Sequence, residues 1–317
     1  MKGLVTGFST AALLVAAGSA QAITVDGTRD AGYGAALAVQ TVETQFGDAG
    51  DPNGFGGGGE LDAGYARIEG GRLYVMLTGN VEPNFNKLSV FIDSKAGGEN
   101  VLSNGPQYDF NDVSQNFGGL TFDAGFEADY HVFGRWGGGN FEVDIIDRAG
   151  GLCGAACNGD FGAASIGGGT GIQSGSALGN GDGTTSFLSS ALEFGFNNTN
   201  TAGVAGGTNA ANQAAAAAVT TGFEFSVALA DIGYVGGTIK IHAAYGNGDN
   251  NYHSNQVLGG LPAGTGNLGG NGAGGFTGNL AGVNFNQFAG NQYFEIPEPA
   301  SLALLGLGGL AMLRRRA

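Results

Sequence analysis

The stretch FGDAGDPNGFGGGGELD, residues 46–62, gathers Asp48, Asp51, Asn53, Glu60 and Asp62 on a glycine-rich backbone. Hard carboxylate and amide oxygens on a loop that can wrap an ion suit calcium, the one cofactor the sequence suggests. The spacing is not that of an EF-hand, and a solvated turn is the plainer reading. Asn247, Asp249, Asn250 and Asn251 form a second oxygen-rich cluster, and Asn180 and Asp182 a third. A sugar ring needs an aromatic face flanked by polar groups. Trp136, the single tryptophan, ends a strand-like run beside Arg135 and Gly137, so Trp136 with Tyr130 is the candidate ligand platform. The competing reading makes Trp136 a core or rim residue.

Other chemistry finds less support. Cys153 and Cys157 lie in the glycine-rich GLCGAACNG, where a small-loop disulfide is the expectation in an oxidising compartment. Glu127 and Asp129 fall on one strand face, as a glycosidase pair requires, but 27 acidic residues make such pairs common. Met76 with His131, His242 or His253 offers haem ligands only in the sense that most chains of this size do. Gly-x-Ser-x-Gly, His-Glu-x-x-His and P-loop signatures are all missing, so no catalytic residues are expected and the chain reads as non-enzymatic.

The elements that would position these residues are strands. Alternation places Leu73, Val75 and Leu77 on one face of 72–81, and Leu88, Val90 and Ile92 on one face of 87–94. Similar patterns run through 125–136, 140–147, 190–197, 222–229 and 238–245, with a last strand near 291–295. Ala210–Ala218 is the best local helix former, a short surface helix or a loop; 34–44 reads as strand or helical turn with Val39 and Val42 buried. Small and polar residues dominate 149–186 and 261–282, which predicts long surface loops. The expected fold is all-β: a two-sheet antiparallel, jelly-roll-like sandwich over 23–295 with Gly-rich insertions.

Both ends carry membrane-directed patterns. Met1-Lys2, the apolar Leu4–Ala17 and Ala20-Gln21-Ala22 form a signal peptide over 1–22, cleaved before Ile23. At the other end, Pro297-Glu298-Pro299 precedes the apolar run 300–313 and Arg314-Arg315-Arg316. Fourteen helical residues span roughly 21 Å, short of a hydrocarbon core of about 30 Å, so the anchor is marginal. The arginines mark its cytoplasmic side. Residues 296–317 resemble the PEP-CTERM sorting signal of Gram-negative bacteria. That resemblance implies processing by signal peptidase and exosortase, transient anchoring in the inner membrane, and delivery to the cell surface or extracellular matrix, often alongside exopolysaccharide.

Without residues 1–22 and 300–317 the chain keeps 8 Lys and Arg against 27 Asp and Glu, a charge of −19 against −15 for the whole. So acidic a surface repels nucleic acid. The rhythm of Ile23-Thr24-Val25-Asp26-Gly27, Leu73-Tyr74-Val75, Ile92-Asp93 and Phe223-Glu224-Phe225 resembles the family-9 carbohydrate-binding-module and DOMON-like β-sandwich group. Those modules clamp sugar between two tryptophans, which this chain cannot supply. The sequence thus predicts a structural or adhesive surface protein associated with exopolysaccharide or biofilm, with a carbohydrate-binding module or, more remotely, an exported glycoside hydrolase as alternatives.

Overall fold

A computed structural model describes residues 22–47, 58–104, 113–148, 159–165, 172–179 and 185–296. Among them, thirteen strands form two antiparallel sheets, the predicted sandwich. In chain order they are β1 (Ala38–Val39), β2 (Glu60–Glu69), β3 (Arg72–Asn80), β4 (Lys87–Asp93), β5 (Tyr130–Gly137), β6 (Asn140–Asp147) and β7 (Gly159–Ser165). There follow β8 (Ile172–Ala177), β9 (Leu192–Asn197), the short helix α1 (Gln213–Ala218), β10 (Gly222–Ala228), β11 (Ile239–Gly246), β12 (His253–Leu258) and β13 (Phe294–Ile296). One sheet runs β1-β2-β3-β10-β9-β8; the other runs β12-β11-β4-β5-β6-β7, with β13 also paired to β11.

The alternation read from the sequence decides what meets between the sheets. Leu73, Val75, Leu77, Phe194, Phe196, Phe223 and Phe225 from the first sheet face Leu88, Val90, Ile92, Val132, Phe141, Val143 and Ile241 from the second. Phe141 stacks on Phe196 with ring centroids 3.9 Å apart, joining the layers at their centre.

The outer face of the second sheet is also covered. The excursion between β4 and β5 supplies Leu102, Phe117, Leu120, Phe122 and Phe126, and the one between β12 and β13 supplies Leu261, Leu268, Leu280, Val283 and Phe285. These side chains bury Phe91, Ala244 and Val257 in a second core. Residues 261–282 therefore lack regular strands, as expected, yet they are a lid with a buried face rather than a surface loop. The three histidines of the chain, His131, His242 and His253, are buried among the rings of this second core.

Four strands escaped the sequence reading. β2 (ELDAGYARIE) is long but poor in β-branched residues, and β7 and β8 lie inside the stretch 149–186 expected to be loop. β12 (HSNQVL) carries polar side chains that are nonetheless buried. The helix α1 forms at the alanine run, capped by Asn212 accepting from the Ala215 N–H. Val42 is fully buried, whereas Val39 is only partly so.

Two of the sequence rhythms meet physically. The amides of Asp26 and Gly27 both donate to the Glu224 carboxylate at 3.0 Å, and the Tyr33 hydroxyl donates to it at 2.7 Å. Gly27 is required there: its φ is +79°, and a Cβ would sit 2.6 Å from the Asn197 nitrogen. The Asp-Gly of the amino-terminal segment and the Phe-Glu-Phe of β10 thus form a structural dock that closes the first sheet.

Candidate ligand-binding cleft

The predicted aromatic platform is not exposed. Trp136 points between the sheets, 7% exposed, with its ring edge-on to Phe196 at 5.9 Å. Tyr130, six residues before Trp136 on the same face of β5, is also in the core; it stacks on Phe187 and accepts from Lys95 Nζ at 2.7 Å. Odd and even positions of β5 part here: Tyr130, Val132 and Trp136 face inward, so neither ring offers a face to a ligand.

What Trp136 does is hold its neighbour. Its backbone carbonyl accepts from the Phe85 N–H at 2.9 Å. Phe85 lies in the turn 81–86 between β3 and β4, 42% exposed, with its ring over Gly137 and Gly138; a Cβ on Gly137 would lie 2.4 Å from that ring. Phe85 adopts φ +67°, and Asn250 φ +52°; among the described residues these are the two non-glycine residues in the left-handed region. For phenylalanine such a backbone costs about 1–3 kcal/mol and persists only where the surroundings fix it. Phe85 borders a cleft of about 370 Å³, lined also by Asn84, Asn86, Lys87, Arg135, Asn247, Gly248 and Asp249.

Two turns build the walls. In the first, the buried Glu82 carboxylate accepts from the side-chain amides of Asn84, at 3.0 Å, and Asn86. Its amide in turn donates to the Tyr245 hydroxyl, also at 3.0 Å. Burial raises the Glu82 carboxyl above its ordinary range, against the two amide bonds that lower it. In the second turn, Asn247 Oδ1 accepts from the amides of Asn251 and Tyr252, and Asn247 Nδ2 donates to Asn251 Oδ1 at 2.6 Å. Gly248 N–H donates to Asn86 Oδ1 at 3.2 Å and ties the walls together.

The floor is cationic but matched. Lys87 and Arg135 pair across β4 and β5. The Arg135 guanidinium donates to Glu142 at 2.8 Å and to Asp144 at 2.7 Å, and both Arg135 and Lys87 lie over the Phe133 ring. Such buried, hydrogen-bonded ion pairs fix geometry and leave little net field.

Other predicted residues fall elsewhere. Asp48, Asp51 and Asn53, the cysteines Cys153 and Cys157, and Ala20 lie outside the described residues, as do Pro297, Glu298, Pro299 and Arg314, Arg315 and Arg316. Ala22 is exposed. Glu60 and Asp62 belong not to a loop but to β2, buried, where Asn200 Nδ2 donates to Glu60 at 3.1 Å and Val204 N–H to Asp62 at 2.8 Å. Among the described residues no group of three or more His, Cys, Asp or Glu is placed to hold a metal ion. Asp129, raised to about 6 by burial, accepts from the Ser94 and Lys95 amides and so pins a loop. Met76 clusters with Tyr33 and Tyr65 beside the first sheet, in a different core from the one that holds the three histidines.

The cleft residues carried a faint signal: a phenylalanine between two asparagines in Asn84-Phe85-Asn86, with Asn247 and Asp249 in a cluster weighed for calcium. The two turns, far apart in the chain, are brought together by the pairing of β4 with β11.

Comparison with known proteins speaks to the tail. Residues 295–317 match the model of the PEP-CTERM protein-sorting motif. The chain therefore carries an exosortase-directed signal, which implies export with transient membrane anchoring before cleavage. The match begins within β13, whose Ile296 pairs with Ile239, so the signal departs directly from the edge of the second sheet. No curated protein and no solved structure matches the chain, and the resemblance to carbohydrate-binding modules and DOMON-like domains has no support beyond the sandwich architecture. Among the described residues no helix is long and apolar enough to cross a membrane.

Proposed function

We propose that this is a non-enzymatic, surface- or matrix-delivered β-sandwich with an adhesive or structural role beside exopolysaccharide. The observation that carries the reading is the sorting motif at 295–317, running straight out of the last strand of a closed two-sheet domain. The acidic chain supports it by keeping an extracellular protein soluble and away from anionic polymers. Three buried carboxylates serve as structural acceptors, Glu82 for two asparagines, Glu224 for a dock and Asp160 for the Phe187 and Leu188 amides.

The test is cellular. In an exosortase-containing host the protein should reach the surface or matrix fraction with its tail removed, as read by mass spectrometry of the carboxy terminus. Deleting residues 297–317 should release it from that fraction, and deleting the gene should weaken matrix cohesion. An intact tail on cytosolic protein, unchanged cohesion, or hydrolysis of a polysaccharide panel by the purified protein would each defeat the proposal.

A further inference from the structure

We propose that the cleft between the turns 81–86 and 247–251 binds a neutral glycan chain, with one sugar ring stacked on Phe85. The inference deepens the matrix reading by naming what the protein holds, and it rests on that reading for its biological setting only.

Three features select the ligand class. First, Phe85 is a large apolar ring, 42% exposed and backed by the flat Gly137–Gly138 surface, held there by a backbone conformation phenylalanine disfavours. The C–H face of a pyranose is what such a ring accepts. Second, the amides beside it are pinned but not saturated. Asn84 donates one N–H to Glu82 and accepts one bond from the Asn86 amide; Asn86 donates to Glu82 and accepts from Gly248. Each keeps a second N–H and a second lone pair, the paired donor and acceptor that a sugar diol requires. Third, the charge of the site disfavours anions. Arg135 is committed to Glu142 and Asp144, and Asp249 stands exposed at the rim. A uronate, sulfate or phosphate would meet a carboxylate before any unmatched cation, whereas a neutral polyol meets amides. The volume of about 370 Å³ accommodates a sugar ring, and the open geometry between two turns lets a chain run through.

The purified protein is titrated calorimetrically with cellohexaose, maltohexaose, mannohexaose, a neutral galactan and polygalacturonate. Variants are Phe85→Gly, which removes the ring and the backbone strain together, and Asn84→Ala, which removes one exposed amide. Binding to at least one neutral glycan is expected, with Kd raised tenfold or more in both variants. Phe85→Gly should melt at or above the parent temperature, so its loss of binding would not reflect unfolding. No binding to any neutral glycan, binding untouched by both substitutions, or binding to polygalacturonate alone would overturn the proposal. Because tail processing and surface delivery are read in cells, failure here leaves the export reading standing and the two outcomes are separable.

Discussion

Replacing His242 by asparagine should make the folded protein less sensitive to acid. His242 sits in the second core, 2% exposed, with Nδ1 donating to the Gln292 carbonyl at 2.7 Å and rings of Phe122 and Phe285 within 5.0 Å of its own. The carbonyl can only accept, which assigns the proton to Nδ1. Burial, then the neighbouring His253, lower its pKa to about 3, against the opposing pull of the Gln292 carbonyl. In the unfolded chain the same imidazole titrates near its ordinary value of about 6.5. Between pH 6.5 and 3 the unfolded chain therefore binds a proton that the folded state refuses, and each pH unit removes about 1.4 kcal/mol of stability. At pH 4.5 that amounts to about 3 kcal/mol. Other groups obscure the effect in the parent protein alone. His253 is lowered to about 4 and adds to it. Burial raises Asp129 to about 6 and Glu224 to about 7, so these carboxyls take up protons on folding in the same range and oppose it. The difference between parent and variant cancels them. His242→Asn keeps a donor for Gln292 and cannot titrate; its smaller volume costs a roughly constant amount at every pH. Urea denaturation at pH 4.5, 5.5, 6.5 and 7.5 reads the result. The stability gap should be flat above pH 6.5 and move by about 3 kcal/mol in favour of the variant by pH 4.5. Parallel curves would mean that the imidazole protonates freely in the folded state, and the burial argument would fail.

Glu224→Ala should cost roughly 3 kcal/mol or more, because it strands two backbone amides and the Tyr33 hydroxyl. Hydrogen exchange should then accelerate across residues 23–34 before the rest of the first sheet; uniform exchange would show the dock to be energetically idle. We propose that calcium, if bound through Asp48, Asp51 and Asn53 rather than the buried Glu60 and Asp62, raises the melting temperature relative to chelator by mass action. A melting temperature unmoved by millimolar calcium would remove the ion from the account.

Alternation alone was enough to place Leu73, Val75, Phe141 and Phe225 between two sheets, because a strand that buries one face must write a period of two into its side chains. The carboxy-terminal signal was equally legible, since a sorting motif is read as a linear segment: the tail at 295–317 needs no fold to be recognised. β2, β7, β8 and β12 were not legible. Their residues are small or polar and acquire burial from what packs over them, as Asp62 does from Asn200 and Val204. Trp136 shows the same limit. Its position at the end of a strand beside glycines suited a ligand platform, but its parity on β5 turned it inward, and the exposed ring is Phe85 on the neighbouring turn. The cleft joins residues 84–86 to residues 247–249 because β4 pairs with β11, a contact set by sheet order. Local sequence specifies which residues alternate and which segments are addresses. Which turns come to share a wall depends on how strands far apart in the chain align, and that is decided only when the sheets close on a common core.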